Sequence, residues 1–163
     1  MKAVLHWLLV LSMALAAGAG HAESKDRGIH KCKPDRKGRC FIDVTVMPPD
    51  ATHPACYPVV DFETVEAPRR TARAFVWRIV NPRSEGYKFD DDVMRAIRLT
   101  RQGADQDFDD PRYDEPDEAG KRTFRLRIVG TPQARSEYEI QVERRRSGQA
   151  ERCDVKDPVI AND

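Results

Sequence analysis

Along residues 40 to 46, CFIDVTV, apolar and polar side chains alternate. Cys40, Ile42, Val44 and Val46 share one face, and Asp43 and Thr45 share the other. A period of two is the signature of a strand with one buried face, so this segment predicts a strand. PPDATHPAC interrupts it, because proline cannot donate to a paired ladder. YPVVDFETV follows as a short strand suited to a sheet edge. In ARAFVWRIV, Phe75, Trp77 and Ile79 fall together, and Ala74, Val76 and Val80 are apolar as well. That pattern predicts a central strand buried on both faces, with Trp77 as a core anchor.

NPRSEG turns the chain into YKFDDDVMRAIRLT, which fits two periods. Asp90 could cap a helix through Val93 and Ile97. Val93, Ile97 and Leu99 also fit a strand after the DDD turn, and a strand is expected here because the neighbouring segments are strands. Further on, RTFRLRIVG turns Phe124, Leu126 and Ile128 inward, and SEYEIQVER does the same with Tyr138, Ile140 and Val142. With GTPQARS as the loop, these two segments predict a hairpin pairing Ile128 with Tyr138, Leu126 with Ile140, and Phe124 with Val142. On its outer face Arg125 and Arg127 would meet Glu139, Gln141 and Glu143, in exposed pairs worth about 0–1 kcal/mol each. RRRSGQAER predicts another hairpin around Ser147-Gly148, and CDVKDPVIAND a last short strand or tail.

About seven strands separated by turns describe an all-β chain. The expected architecture is an immunoglobulin-like two-sheet β-sandwich, with a small β-barrel as the alternative. The likeness is one of architecture, since Cys40 and Cys56 both precede Trp77, which is not the order in antibody domains.

The first residues change the picture of where this sandwich works. Lys2, an apolar run from Val4 to about Ala17 and the small-residue exit Gly20-His21-Ala22 predict a signal peptide over residues 1–22, cleaved after Ala22. The run is short of the roughly 20 apolar residues that span a bilayer, which weighs against an uncleaved anchor. The mature chain would be exported, periplasmic or secreted, with no membrane span. Losing Lys2 takes the formal charge from +1 to zero, so there is no global pull toward nucleic acid. Residues 23–39 are rich in Lys and Arg and poor in apolar spacing, and predict a basic, mobile arm that could meet a polyanion, ahead of a single domain over residues 40–163.

Cys32, Cys40, Cys56 and Cys153 form an even set, which export turns toward disulfides. Three pairings are open. Pro34 and Gly38 between Cys32 and Cys40 suit a closed turn, so Cys32–Cys40 and Cys56–Cys153 are expected. The rival is a zinc or copper centre drawn from His30, Cys32, Cys40, His53 and Cys56, but no CxxC pair supports it.

Catalytic signatures are sparse. Ser24, Ser84, Ser136 and Ser147 lie in no G-x-S-x-G elbow, and no phosphate-cradling glycine loop occurs. A carboxylate-dependent hydrolase has many candidate acids but no spacing that selects a pair. The acidic stretch DQDFDDPRYDEPDE, residues 105–118, is the richest candidate. Asp105, Asp107 and Asp109 have the spacing that opens a calcium loop. The match then fails at Asp110 and Pro116, where glycine and a bidentate glutamate would be needed, with Pro111 at the seventh position, leaving only a looser calcium site that would use Asp105, Asp107, Asp109 and Asp110. Phe108 and Tyr113 add apolar anchors, so these six residues also suggest a docking surface for a basic protein, such as a cationic secreted enzyme that the chain would inhibit. A solvated inter-strand loop is the plain reading. Together these observations lead to an exported, non-enzymatic binding or structural module of the cell envelope, without a cofactor, whose partner is another envelope or secreted protein.

Overall fold

The computed structural model describes residues 28–68, 70–100, 108–113, 121–129, 136–146, 148–156 and 158–162. The expected signal segment, Asp105, Asp107 and most of the GTPQARS loop lie outside them. The strands are β1 (Ile29–Lys31), β2 (Arg39–Met47), β3 (Tyr57–Val60), β4 (Thr64–Ala67), β5 (Ala74–Ile79), β6 (Tyr87–Phe89), β7 (Ile97–Leu99), β8 (Phe108–Tyr113), β9 (Thr123–Ile128), β10 (Ser136–Ile140), β11 (Val142–Arg146), β12 (Gln149–Arg152) and β13 (Val159–Asn162). A 3-10 turn (Arg83–Glu85) and one α-helical turn, α1 (Val93–Ala96), interrupt them among the described residues. The protein is an all-β sandwich. No helix among the described residues is long and apolar enough to cross a membrane.

One layer is the sheet β3-β2-β5-β9-β8. The alternating segment is β2, and the apolar one is β5 at the centre of this layer, with Phe75, Val76 and Trp77 fully buried. The other layer holds β1-β4-β13-β10-β7, and β12-β11-β6 prolongs it. Gln141 alone separates β10 from β11, and opposite it the chain bulges out from Asp90 to Ala96 between β6 and β7. Gln141 donates to the Ala96 carbonyl at 3.0 Å and accepts from the Asp90 amide at 3.1 Å, so the bulge is bridged on both sides. The ambiguous segment is therefore strand, helical turn, strand. Its N-cap is Asp92, which accepts from the Met94 amide at 3.0 Å, rather than Asp90.

The expected hairpin between residues 122–130 and 136–144 does not form. β9 lies between β5 and β8, whereas β10 lies in the opposite layer between β13 and β7. Alternation reports which face of a strand is buried, not which strand lies beside it. The apolar sets do meet, but across the core: Trp77 on β5 packs edge-on against Phe124 at 6.1 Å and Tyr138 at 5.2 Å between ring centres. Each such buried ring contributes about 1.5–3 kcal/mol. The charges find other partners too. Arg127 pairs with Asp109 on β8, and Glu139 with Arg98 on β7.

Two disulfides are present, Cys32–Cys40 and Cys56–Cys153, with Cα atoms 5.7 and 4.4 Å apart. The segment expected to be a mobile arm is, from residue 28 onward, part of the fold. β1 pairs in parallel with β4, and Cys32 is buried. Its few apolar residues hid this, because an edge strand held by backbone bonds and a bridge needs little apolar surface of its own.

Candidate functional site

The acidic stretch is not a free loop where it is described. Phe108 to Tyr113 form the edge strand β8, with a register shift between Asp109 and Arg112 and Asp110 at a φ of 54°. Pro111 is tolerated because it lies at that irregularity on an edge. Phe108 is a core residue, its ring 6.2 Å from that of Phe75. Tyr113 packs on Phe124, and its hydroxyl donates to the Asp90 carbonyl. Burial first, and then the Asp90 and Asp91 charges, push the Tyr113 phenol well above its ordinary value. Both aromatic anchors of the expected docking surface thus face inward. Asp109 takes a bidentate contact from Arg127 at 2.6 Å, a hydrogen bond that holds its carboxyl below the usual range, and Asp110 lies 3.3 Å from Arg112. A cation would have to displace two guanidinium groups to reach them.

Among the described residues, a dense charge cluster forms where the bulge meets β11, and the sequence did not reveal it. Lys88 is directly opposite Glu143 in the β6–β11 register, and both are buried. The Lys88 ammonium sits 2.7 Å from Glu143 and 2.6 Å from Asp91, which also receives Lys121 at 2.6 Å. Hydrogen bonds from Lys121 and Lys88 lower the Asp91 carboxyl to about 2. For Lys88, burial works against the charge, but bonds to Asp91 and Glu143 outweigh it and raise the ammonium's value. Asp90, almost wholly buried, accepts from the Asp92 amide and lies 3.5 Å from Arg95. Asp91 is thus an anion held by two ammonium groups. A general acid needs the opposite, a carboxyl raised toward neutrality.

Two other places carry chemical groups. In the turn before β3, Asp50 accepts from Thr52, from the His53 amide and from the Tyr57 hydroxyl, and the His53 ring stacks on Tyr57 at 3.9 Å. Thr52, His53 and Asp50 resemble a relay only in composition. The hydroxyl and the carboxylate both approach the same ring nitrogen, Nδ1, so no proton can pass through the ring between them. At the far end of β5, a cleft of about 470 Å³ is lined by Arg78, Ile79, Val80, Asn81, Arg83, Arg122 and Thr123. Arg122 donates there to the carbonyls of Tyr87, Ile79 and Asn81, and Asn81 bonds both backbone groups of Val46 as a strand would. These groups close the end of the sheet.

The soft-metal alternative loses its ligands, since all four cysteines are in disulfides and His30 stacks on Phe62 at 4.1 Å. Among the described residues no three His, Cys, Asp or Glu side chains converge to hold a metal ion. The sequence matches no protein-family model and no curated protein.

Proposed function

We propose that this protein is an exported, non-enzymatic β-sandwich serving as a binding or structural module of the cell envelope. The observation that carries this reading is the pairing of the acids at the bulge. Buried Asp90 and Glu143 and exposed Asp91 are each committed to a cation of the same chain, which suits a rigid scaffold. The apolar run Val4 to Ala17 with its Gly20-His21-Ala22 exit, and two disulfides, support export. The calcium and enzyme-inhibitor readings fall behind it, because Asp109, Asp110, Phe108 and Tyr113 are engaged within the chain.

Fractionation of cells making the tagged chain tests the proposal. The expected species lacks residues 1–22, has no thiol until reduced, and cross-links in the intact envelope to a discrete component. A full-length protein with free thiols in the cytosol would overturn it.

A further inference from the structure

Among the described residues, many cations are committed to an acid of the chain. Arg78, Arg98, Arg112, Arg127, Lys88, Lys121 and Lys156 each have a carboxylate partner. Lys33, Arg36, Lys37, Arg70 and Arg73 are exposed and have none among the described residues, and the topology brings these five together. β1 and β4 are parallel neighbours in one layer, and β2 and β5 are parallel neighbours in the other. The connections β1–β2 and β4–β5 therefore cross between the layers side by side, at the same end of the sandwich. Their contact is direct: the Arg73 amide donates to the Gly38 carbonyl at 2.6 Å, and the Ala74 amide to the same oxygen at 3.2 Å.

The first crossover is held rigid without using its lysines. The Cys32–Cys40 bridge closes it. Asp35 accepts from the amides of Lys37 and Arg39 and from the Arg39 side chain, so the acid within the loop is turned inward. Gly38 has a φ of 74°, and a Cβ there would stand 2.8 Å from the Thr71 carbonyl, so only glycine lets the two crossovers touch. Glu66, on β4 at this edge, lies 4.0 Å from Lys31.

We propose that this stapled basic corner docks an acidic polysaccharide. A preorganised set of unpaired cations binds a chain of repeated anions through its charge and through release of the chain's counterions. An anionic membrane is a poorer fit, because interfacial binding wants an apolar face and, among the described residues, Ile29 is the one large exposed apolar side chain beside the corner. A single-stranded nucleic acid is poorer as well, since it wants aromatic platforms, and no aromatic ring is among the exposed large hydrophobic residues described. The inference takes from the proposed function only that the domain works outside the reducing cytoplasm. Its failure in vitro would leave the export experiment standing.

The test is binding of the purified, oxidised protein to immobilised polygalacturonate, with uncharged dextran, phosphatidylglycerol vesicles and a single-stranded oligonucleotide in parallel. Expected is binding to polygalacturonate that weakens by about tenfold or more between about 50 and about 200 mM salt. Arg36→Glu/Lys37→Glu, confined to the first crossover, and Lys33→Glu/Arg70→Glu, which alters both, should each abolish it while the melting curve stays in place. Arg145→Glu on β11, an exposed cation elsewhere, should leave it intact. Absence of binding to polygalacturonate, equal loss in Arg145→Glu, or tighter binding to the vesicles or the oligonucleotide would overturn the proposal.

Discussion

Replacing each disulfide in turn by a pair of alanines separates two contributions to stability that the fold entangles. Cys32–Cys40 spans a sequence separation of 8 and Cys56–Cys153 one of 97. If a bridge acts by restricting the unfolded chain, the long one is worth about 4.7 kcal/mol and the short one about 2.5 kcal/mol. Packing losses nearly cancel in the comparison, since all four cysteines are less than a tenth exposed. The Asp154 amide still donates to the Cys56 carbonyl at 2.6 Å, so the C-terminal segment keeps a tether when the long bridge is gone. The expected gap of about 2 kcal/mol corresponds to a difference of about 6 °C in Tm. Urea unfolding of Cys56→Ala/Cys153→Ala and Cys32→Ala/Cys40→Ala, with the slopes compared to detect a change in the unfolded state, measures it. Equal losses, or a larger loss from the short bridge, would refute the chain-entropy reasoning. In that case the Cys32–Cys40 bridge would stabilise by holding the corner against β5.

Removing one partner of the buried Lys88–Glu143 pair should be more costly than removing both. Lys88→Met strands a buried carboxylate and is expected to cost about 3–5 kcal/mol, whereas Lys88→Met with Glu143→Leu should recover most of the loss; urea titrations showing additive effects would contradict this. Asp91 gives a pH signature of definite sign. Its folded value of about 2 lies below the ordinary 3.8, so its contribution is present above about pH 4 and is lost as pH falls toward 2. Asp91→Asn should flatten the acid limb of stability in that window, and an unchanged limb would remove the claim.

The face each strand buries was legible in the sequence, and the neighbour beside it was not. Cys40, Ile42, Val44 and Val46 are inward on β2, and Trp77 is at the centre, as the period requires. The same logic misplaced β10, because a strand alternating Tyr138, Ile140 and Ser136 inward is as content across the core from β9 as beside it. Phe108, expected as an exposed docking anchor, is a core residue for a related reason. One apolar residue among aspartates and a proline resembles a loop, yet an edge strand can carry charges on its outer side and a proline at a bulge. Lys88 was hidden by its type, since a lysine in a strand is read as facing water until its cross-strand partner is known. That partner, Glu143, is distant in sequence.

The balance of charge in the composition conceals an uneven surface. Within the strands several arginines have a local explanation: Arg127 fixes β9 against Asp109, Arg98 fixes β7 against Glu139, and Arg78 reaches Asp43 across the β2–β5 pair. Such pairs are worth little individually, but they favour one register over its slips. The crossover corner is built differently. Its backbone is set by a disulfide, by Asp35, and by a glycine packed against Thr71, none of which needs Lys33, Arg36 or Lys37 to be charged. Bringing like charges together at one end of a domain works against folding through their repulsion. A fold that meets its structural needs without those charges, yet keeps them adjacent and unpaired, has placed them where an external anion can relieve that repulsion.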